Sequence, residues 1–174
     1  MIFYSENHGN DNAVRRCLLD KINDFIKKEY YTLTAHSRLT DPGPVPAVLN
    51  LEQTTKHNRN FRTALWTGNH LQLTVMCIPF RGEIGLELHP DTDQLIRVED
   101  GQTRVRMGKN RERMEHCHCL RAGDTVLIPK GTWHNIINTG NRLLKLSSIY
   151  APPQHPQGTV HPTKADAEHK GTYL

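Results

Sequence analysis

Gly85-Leu86-Glu87-Leu88-His89-Pro90-Asp91-Thr92-Asp93-Gln94, answered later in the chain by Gly131-Thr132-Trp133-His134, is the stretch around which the rest is organised. In extended backbone, side chains two residues apart leave the same face. Glu87 and His89 therefore set a carboxylate oxygen beside an imidazole nitrogen on one strand. Gln94 adds an amide oxygen from the start of the next strand, and His134 adds a second imidazole from a strand distant in sequence. Four such donors suit a divalent transition metal. Two histidines and one carboxylate are also the minimal set of facial-triad sites, which keep positions open for water, oxygen or substrate. The expectation is one metal ion per chain, held inside a β-barrel by Glu87, His89, Gln94 and His134.

Outward from this stretch the sequence has a period of two. Leu71, Leu73, Val75 and Cys77 alternate with Gln72, Thr74, Met76 and Ile78, which predicts a strand. Further strands are predicted over Gln94 to Glu99, Met114 to Leu120, Val126 to Ile128, Trp133 to Asn138 and Leu143 to Tyr150. Another places Thr103, Val105 and Met107 on one face and Arg104 and Arg106 on the other. Asp100-Gly101 between two strands is the signal of a type I′ hairpin turn. Short strands at this spacing mean an all-β antiparallel barrel or jelly roll.

Toward the N-terminus the period becomes helical. Val14, Leu18, Ile22, Phe25 and Ile26 predict an amphipathic helix over Asp11 to Tyr30, packed on the outside of the main fold. Thr40 to Val48, with Asp41-Pro42-Gly43-Pro44 and Pro46, reads as a rigid linker or an arm lying across another surface. Asn50 to His57 reads as a short helix capped by Asn50. The division is a helical arm and linker over 1–60, a barrel over 61–162 and a polar tail over 163–174.

Composition removes several classes of function. The 174 residues carry a formal charge of only +4, with acids mixed among the bases. That is not the basic stripe of a nucleic-acid binder. No apolar run approaches the ~20 residues of a transmembrane helix. The first residues lack the basic and apolar regions of a signal peptide, so the expectation is a cytoplasmic protein that does not engage membranes. Cys17, Cys77, Cys117 and Cys119 are expected to be free thiols.

Gly123-Asp124-Thr125-Val126-Leu127-Ile128-Pro129-Lys130-Gly131-Thr132-Trp133-His134, with Asn138 four residues on, resembles the second sequence motif of the cupin superfamily. Every spacing of that motif fits: glycine, proline, glycine, histidine, asparagine. The first cupin motif carries His-x-His, then Glu, then Gly. Here Glu87 stands at the first histidine, His89 matches the second, Gln94 stands at the glutamate, and Gly101 closes the motif. Gly82, before it, is one residue off the usual spacing. The resemblance spans Leu71 to Tyr150 and is nearest to the small single-domain cupins, some labelled mannose-6-phosphate isomerase by similarity. It implies a double-stranded β-helix and a metal that is Zn, Mn, Fe or Ni. The two exchanges keep a net ligand charge of −1 and move one ligand from nitrogen to oxygen. Glutamine beside histidine at a metal is similar to the phosphomannose isomerases and some sugar-acid-processing cupins, which points to carbohydrate substrates.

Other residues invite a role. His116-Cys117-His118-Cys119 offers four zinc-type ligands, but alternation sends the histidines and the cysteines to opposite faces, so an ordinary edge hairpin is expected. His155 and His161 follow the last strand, either at the pocket mouth, with His155 as acid or base, or as surface histidines. Tyr150 shares the parity of Leu144 and Leu146 and points inward, as substrate contact or core residue. Asp91 and Asp93 are expected to solvate a loop, and Trp133 to pack away from the site. Three functions remain. The first is a metal-dependent, isomerase-like enzyme on a small-molecule substrate such as a sugar or sugar phosphate, with His155 and Tyr150 catalytic. The second is a non-haem dioxygenase using Glu87, His89 and His134. The third is a non-catalytic binding barrel. A homodimer is expected, because small cupins commonly pair through sheet edges.

Overall fold

Thirteen elements follow one another in the described residues, 31–33 and 40–169 of the computed structural model. The helix expected over Asp11 to Tyr30 lies outside them. Eleven are strands: β1 (Tyr31–Leu33), β2 (Ala47–Leu49), β3 (Arg62–Thr67), β4 (Gln72–Ile78), β5 (Asp93–Asp100), β6 (Gln102–Gly108), β7 (His116–Arg121), β8 (Thr125–Ile128), β9 (Trp133–Asn138), β10 (Leu144–Ala151) and β11 (Val160–His161). Two are helices, α1 (Leu51–His57) and α2 (Lys164–His169). A six-stranded sheet runs β11-β3-β4-β10-β5-β8, and a three-stranded sheet runs β7-β6-β9. One apolar cluster joins them, with Met76, Ile78, Ile96, Val98, Leu144 and Leu146 from the first sheet meeting Val105 and Ile136 from the second. This is the jelly-roll barrel that the strand spacing predicts.

The Asp100-Gly101 expectation needs correction. β5 pairs with β10 and β8, whereas β6 pairs with β7 and β9. The dipeptide is therefore a corner where the chain leaves one sheet for the other, not a hairpin. Gly101 has φ +96°, and a Cβ there would lie 3.2 Å from the Leu143 carbonyl oxygen and the Leu144 Cα. The same glycine that suits a tight turn suits this close crossing.

β4 is buried on both faces, which its continuous apolar character allows. Met76 and Ile78 enter the barrel, while Val75 and Leu73 pack with Leu65, Leu49 and Leu51 on the outside. The outer cover is the arm and α1. Asn50 caps α1 by accepting from the Gln53 amide at 2.9 Å, as expected. The arm lies on its own barrel. Asp41 accepts from the Thr67 amide at 3.0 Å, and Trp66 donates to the Val45 carbonyl at 2.7 Å.

Along the barrel axis the inward residues change character. The row of Ile96, Val98, Leu144, Leu146 and Ile136 is apolar. Further along the same strands the buried residues are Gln72, Thr74, Gln94, Ser148, Tyr150 and His134. One half of the barrel is therefore core. The other is filled by hydrogen-bonding groups, whose burial is costly unless something satisfies them.

Candidate metal centre

The segment bearing Glu87 and His89 runs antiparallel to β9, but not as the even strand that alternation predicts. Bridges join Glu83 to Ile137 and Glu87 to His134. Four steps on one side thus match three on the other, which defines a β-bulge. Its pivot is Gly85, at φ +107°, whose amide donates to Asn135 Oδ1 at 3.2 Å. The extra residue changes parity, so that Ile84 enters the core and Glu87, three residues on, also turns inward. A Gly85→Ala substitution is expected to cost about 1–3 kcal/mol, because an L-residue is strained at that φ. Urea denaturation of the purified variant checks this.

Glu87, His89 and His134 converge. One ligand atom from each lies within 4.8 Å of the others. Glu87 Oε2 is 3.7 Å from His89 Nε2 and 3.9 Å from His134 Nε2. Metal–ligand bonds of about 2.1 Å need donors roughly 3–3.5 Å apart, so a small inward movement completes the site. All three atoms are buried without a hydrogen-bond partner. His134 Nδ1 lies 2.9 Å from the Thr132 carbonyl oxygen. A carbonyl only accepts, so Nδ1 carries the proton and Nε2 presents its lone pair inward. Burial pushes His89 down to about 4, with Glu87 opposing, so its ring is neutral near pH 7 as a ligand must be. The residues present fit a divalent cation.

Gln94, the fourth expected ligand, is buried on β5 opposite Tyr150 of β10. Its Nε2 donates to Ser148 Oγ at 3.0 Å, which leaves Oε1 buried and unpartnered. The two sequence stretches are tied at the rim. The Gly131 amide donates to the His89 carbonyl at 2.7 Å, and the Lys130 amide to Asp93 Oδ1 at 2.8 Å. Asp93 therefore holds the loop before His134. Asn138 Nδ2 reaches the carbonyls of Ile78, Pro79 and Arg142 within 3.1 Å, which stitches the far end of β9.

His155 packs edge-on against Tyr150 with ring centroids 5.1 Å apart, and Tyr150 is 5.5 Å from His89. The Tyr150 hydroxyl and His155 Nε2 are buried and unbonded. Burial pushes the tyrosine up, with the nearby Arg62 charge opposing, and pushes His155 down to about 2. Sequence reasoning misses two residues here. Arg62, on β3, is 3% exposed and donates to Glu87 Oε1 at 3.1 Å. Gln72, on β4, accepts from the His155 amide at 2.9 Å and donates to its carbonyl at 2.8 Å, holding that segment against the polar end of the barrel. Their signal was inward parity: Gln72 aligns with Met76 and Ile78, and Arg62 pairs in register with Met76. By contrast, His116, Cys117, His118 and Cys119 lie exposed along β7, which among the described residues pairs only with β6. Trp133 faces away, beneath the Arg111 guanidinium.

Both depressed histidines predict acid sensitivity of the metal-free protein. Their folded pKa values lie below the unfolded value of 6.5, so the unfolded chain binds more protons in between. Stability present above pH 6.5 is lost as pH falls toward about 4 for His89 and lower for His155. The slope is about 1.4 kcal/mol per pH unit for each histidine. With chelator present, a His155→Gln variant is expected to lose about 1–2 kcal/mol less than the parent between pH 6.5 and 5. Denaturant titrations at the two pH values measure this.

No helix among the described residues is long and apolar enough to cross a membrane. The cupin domain family matches residues 74–150. The uncharacterized protein YrkC of Bacillus subtilis (strain 168) is 53% identical over 129 residues, 74% of this chain and 69% of that protein. The uncharacterized protein L612 of Acanthamoeba polyphaga mimivirus is 40% identical over 114 residues, 65% of this chain and 69% of that one. The crystal structure of BH2720 from Bacillus halodurans shares 56% identity at a TM-score of 0.74, covering 75% of this chain and 98% of that one. With the two motif stretches meeting across one barrel and these relatives spanning most of its length, the chain belongs to the cupin superfamily.

Proposed function

We propose that this cupin is a metal-dependent enzyme acting on a small polar substrate, of sugar or sugar-phosphate type, by a proton transfer of the isomerase kind. One observation carries the reading. Glu87 Oε2, His89 Nε2, Gln94 Oε1, His134 Nε2, Tyr150 Oη and His155 Nε2 are all buried at the polar end of the barrel without a hydrogen-bond partner. So many unmet groups in one region are costly in a purely structural core and are accounted for by ligands. Glu87, His89 and His134, with Gln94, would hold a divalent ion, which would supply Lewis acidity toward a carbonyl or hydroxyl when bound. Neutral His155 presents a ring nitrogen that takes up a proton from the substrate. Tyr150 fixes the substrate from the floor through its hydroxyl. Gln72, holding both backbone groups of His155, keeps the base in place. The resemblance to phosphomannose isomerase-like cupins supports the carbohydrate class.

The test is solvent exchange. The metal-loaded protein is incubated in D₂O with a panel of aldose and ketose phosphates and followed by NMR. Deuterium appearing beside the carbonyl, and lost in His155→Gln, is the expected result. No exchange on any sugar by protein that holds its metal would sink the isomerase reading. A second reading is favoured by the composition of the triad, two histidines and a carboxylate, which also suits iron-dependent oxygenases. Oxygen uptake by the iron-loaded protein separates the two. Ligand binding with neither activity would instead mark a non-catalytic barrel.

A further inference from the structure

We propose that Arg62 and Tyr150 form an oxyanion subsite beside the metal ligands, and that the small polar molecule bound there carries a carboxylate. The proposal rests on reading this end of the barrel as a substrate site. The unpartnered buried atoms sort into two sets by chemistry. Glu87 Oε2 and Gln94 Oε1 are acceptors, and His134 Nε2, with its proton on Nδ1, offers a lone pair; with His89 Nε2 they face a cation. The second set is Arg62 Nε and Tyr150 Oη. Arg62 Nε is a donor and nothing else, since a guanidinium has no lone pair to offer and stays charged. The tyrosine hydroxyl also donates. Tyr150 lies near enough to Arg62 for the guanidinium charge to act on its hydroxyl.

The charges agree. Arg62 and Glu87 cancel through their 3.1 Å ion pair. A divalent cation then leaves the enclosure positive, and a carboxylate reduces that excess while accepting from the second set. Its two oxygens suit the planar donors of arginine. The two ligands should therefore bind with positive coupling.

Isothermal titration calorimetry with acetate tests the subsite, with acetamide as the uncharged control and inorganic phosphate as the competing anion. Acetate, and not acetamide, is expected to bind metal-loaded protein, at least ~5-fold more weakly to metal-free protein. Tyr150→Phe, which keeps the ring, and Arg62→Gln should each weaken acetate ~5-fold or more while elemental analysis still finds the metal in Tyr150→Phe. Equal binding of acetate and acetamide, or unchanged acetate affinity in both variants, overturns the proposal. Phosphate binding where acetate does not bind overturns the carboxylate assignment. If the parent takes up no metal, the metal reading falls by itself. Acetate titration of that protein then decides the subsite: binding lost in Arg62→Gln supports it, and no binding overturns it.

Discussion

A His134→Ala variant is expected to purify without metal where the parent carries about one ion per chain, an affinity loss of roughly 100-fold or more. His134 is 1% exposed, its proton is committed to the Thr132 carbonyl, and its free nitrogen has no protein partner. Alanine removes a donor whose direction was set before any ion arrived. Glu87 and His89 then remain from neighbouring positions of one segment, with nothing opposing them from β9. A Glu87→Ala/His134→Ala double variant should be no emptier. Elemental mass spectrometry reads the loss, and circular dichroism confirms that the barrel is intact. His116→Ala/His118→Ala is the control, since those imidazoles are exposed on β7, and it should keep its metal. Parent protein that holds no metal after reconstitution with Zn, Mn, Fe and Ni would refute the metal centre itself.

Arg62→Met is expected to destabilise the chelated protein by about 2–4 kcal/mol, and most of this loss should return on adding metal. The Arg62 side chain is 4% exposed and its partner Glu87 24% exposed. Methionine fills the volume of the stem but leaves the carboxylate in a site from which its counter-charge is gone. Partial exposure of Glu87 keeps the cost below that of a fully buried broken pair. A divalent ion restores the missing positive charge, so metal should stabilise the variant more than the parent, by linkage. Urea denaturation of both proteins, with chelator and with saturating metal, measures the four stabilities. Equal metal stabilisation of parent and variant would show that Arg62 and the metal do not share Glu87.

The barrel was legible because its signals are local. Trp133–Asn138 matches the predicted strand at both ends, and α1 begins after the Asn50 cap that short-range chemistry requires. The Asp100-Gly101 corner was misread as a hairpin for the same reason. The dipeptide specifies a tight reversal of backbone, and whether the following strand joins its predecessor's sheet depends on β10 and β9, which lie far along the chain.

At the candidate metal centre, the donor types of Glu87, His89 and His134 were readable and their placement was not. His89 and His134 follow from spacing, and Glu87 from its position two residues before His89. That Glu87 faces inward depends on the bulge at Gly85, whose extra residue is visible only against β9. Arg62 belongs to the site because β3 lies beside β4 and its long side chain reaches Glu87. Gln72 belongs to it because the chain after β10 returns over β4. By itself, then, the sequence determined the all-β class, the positions of β4 to β10 and the donor types, since these follow from alternation and short-range backbone preference. Tertiary structure alone decided which buried polar groups share one enclosure, because that depends on pairing between distant strands, where a shift of one residue turns a side chain to the opposite face.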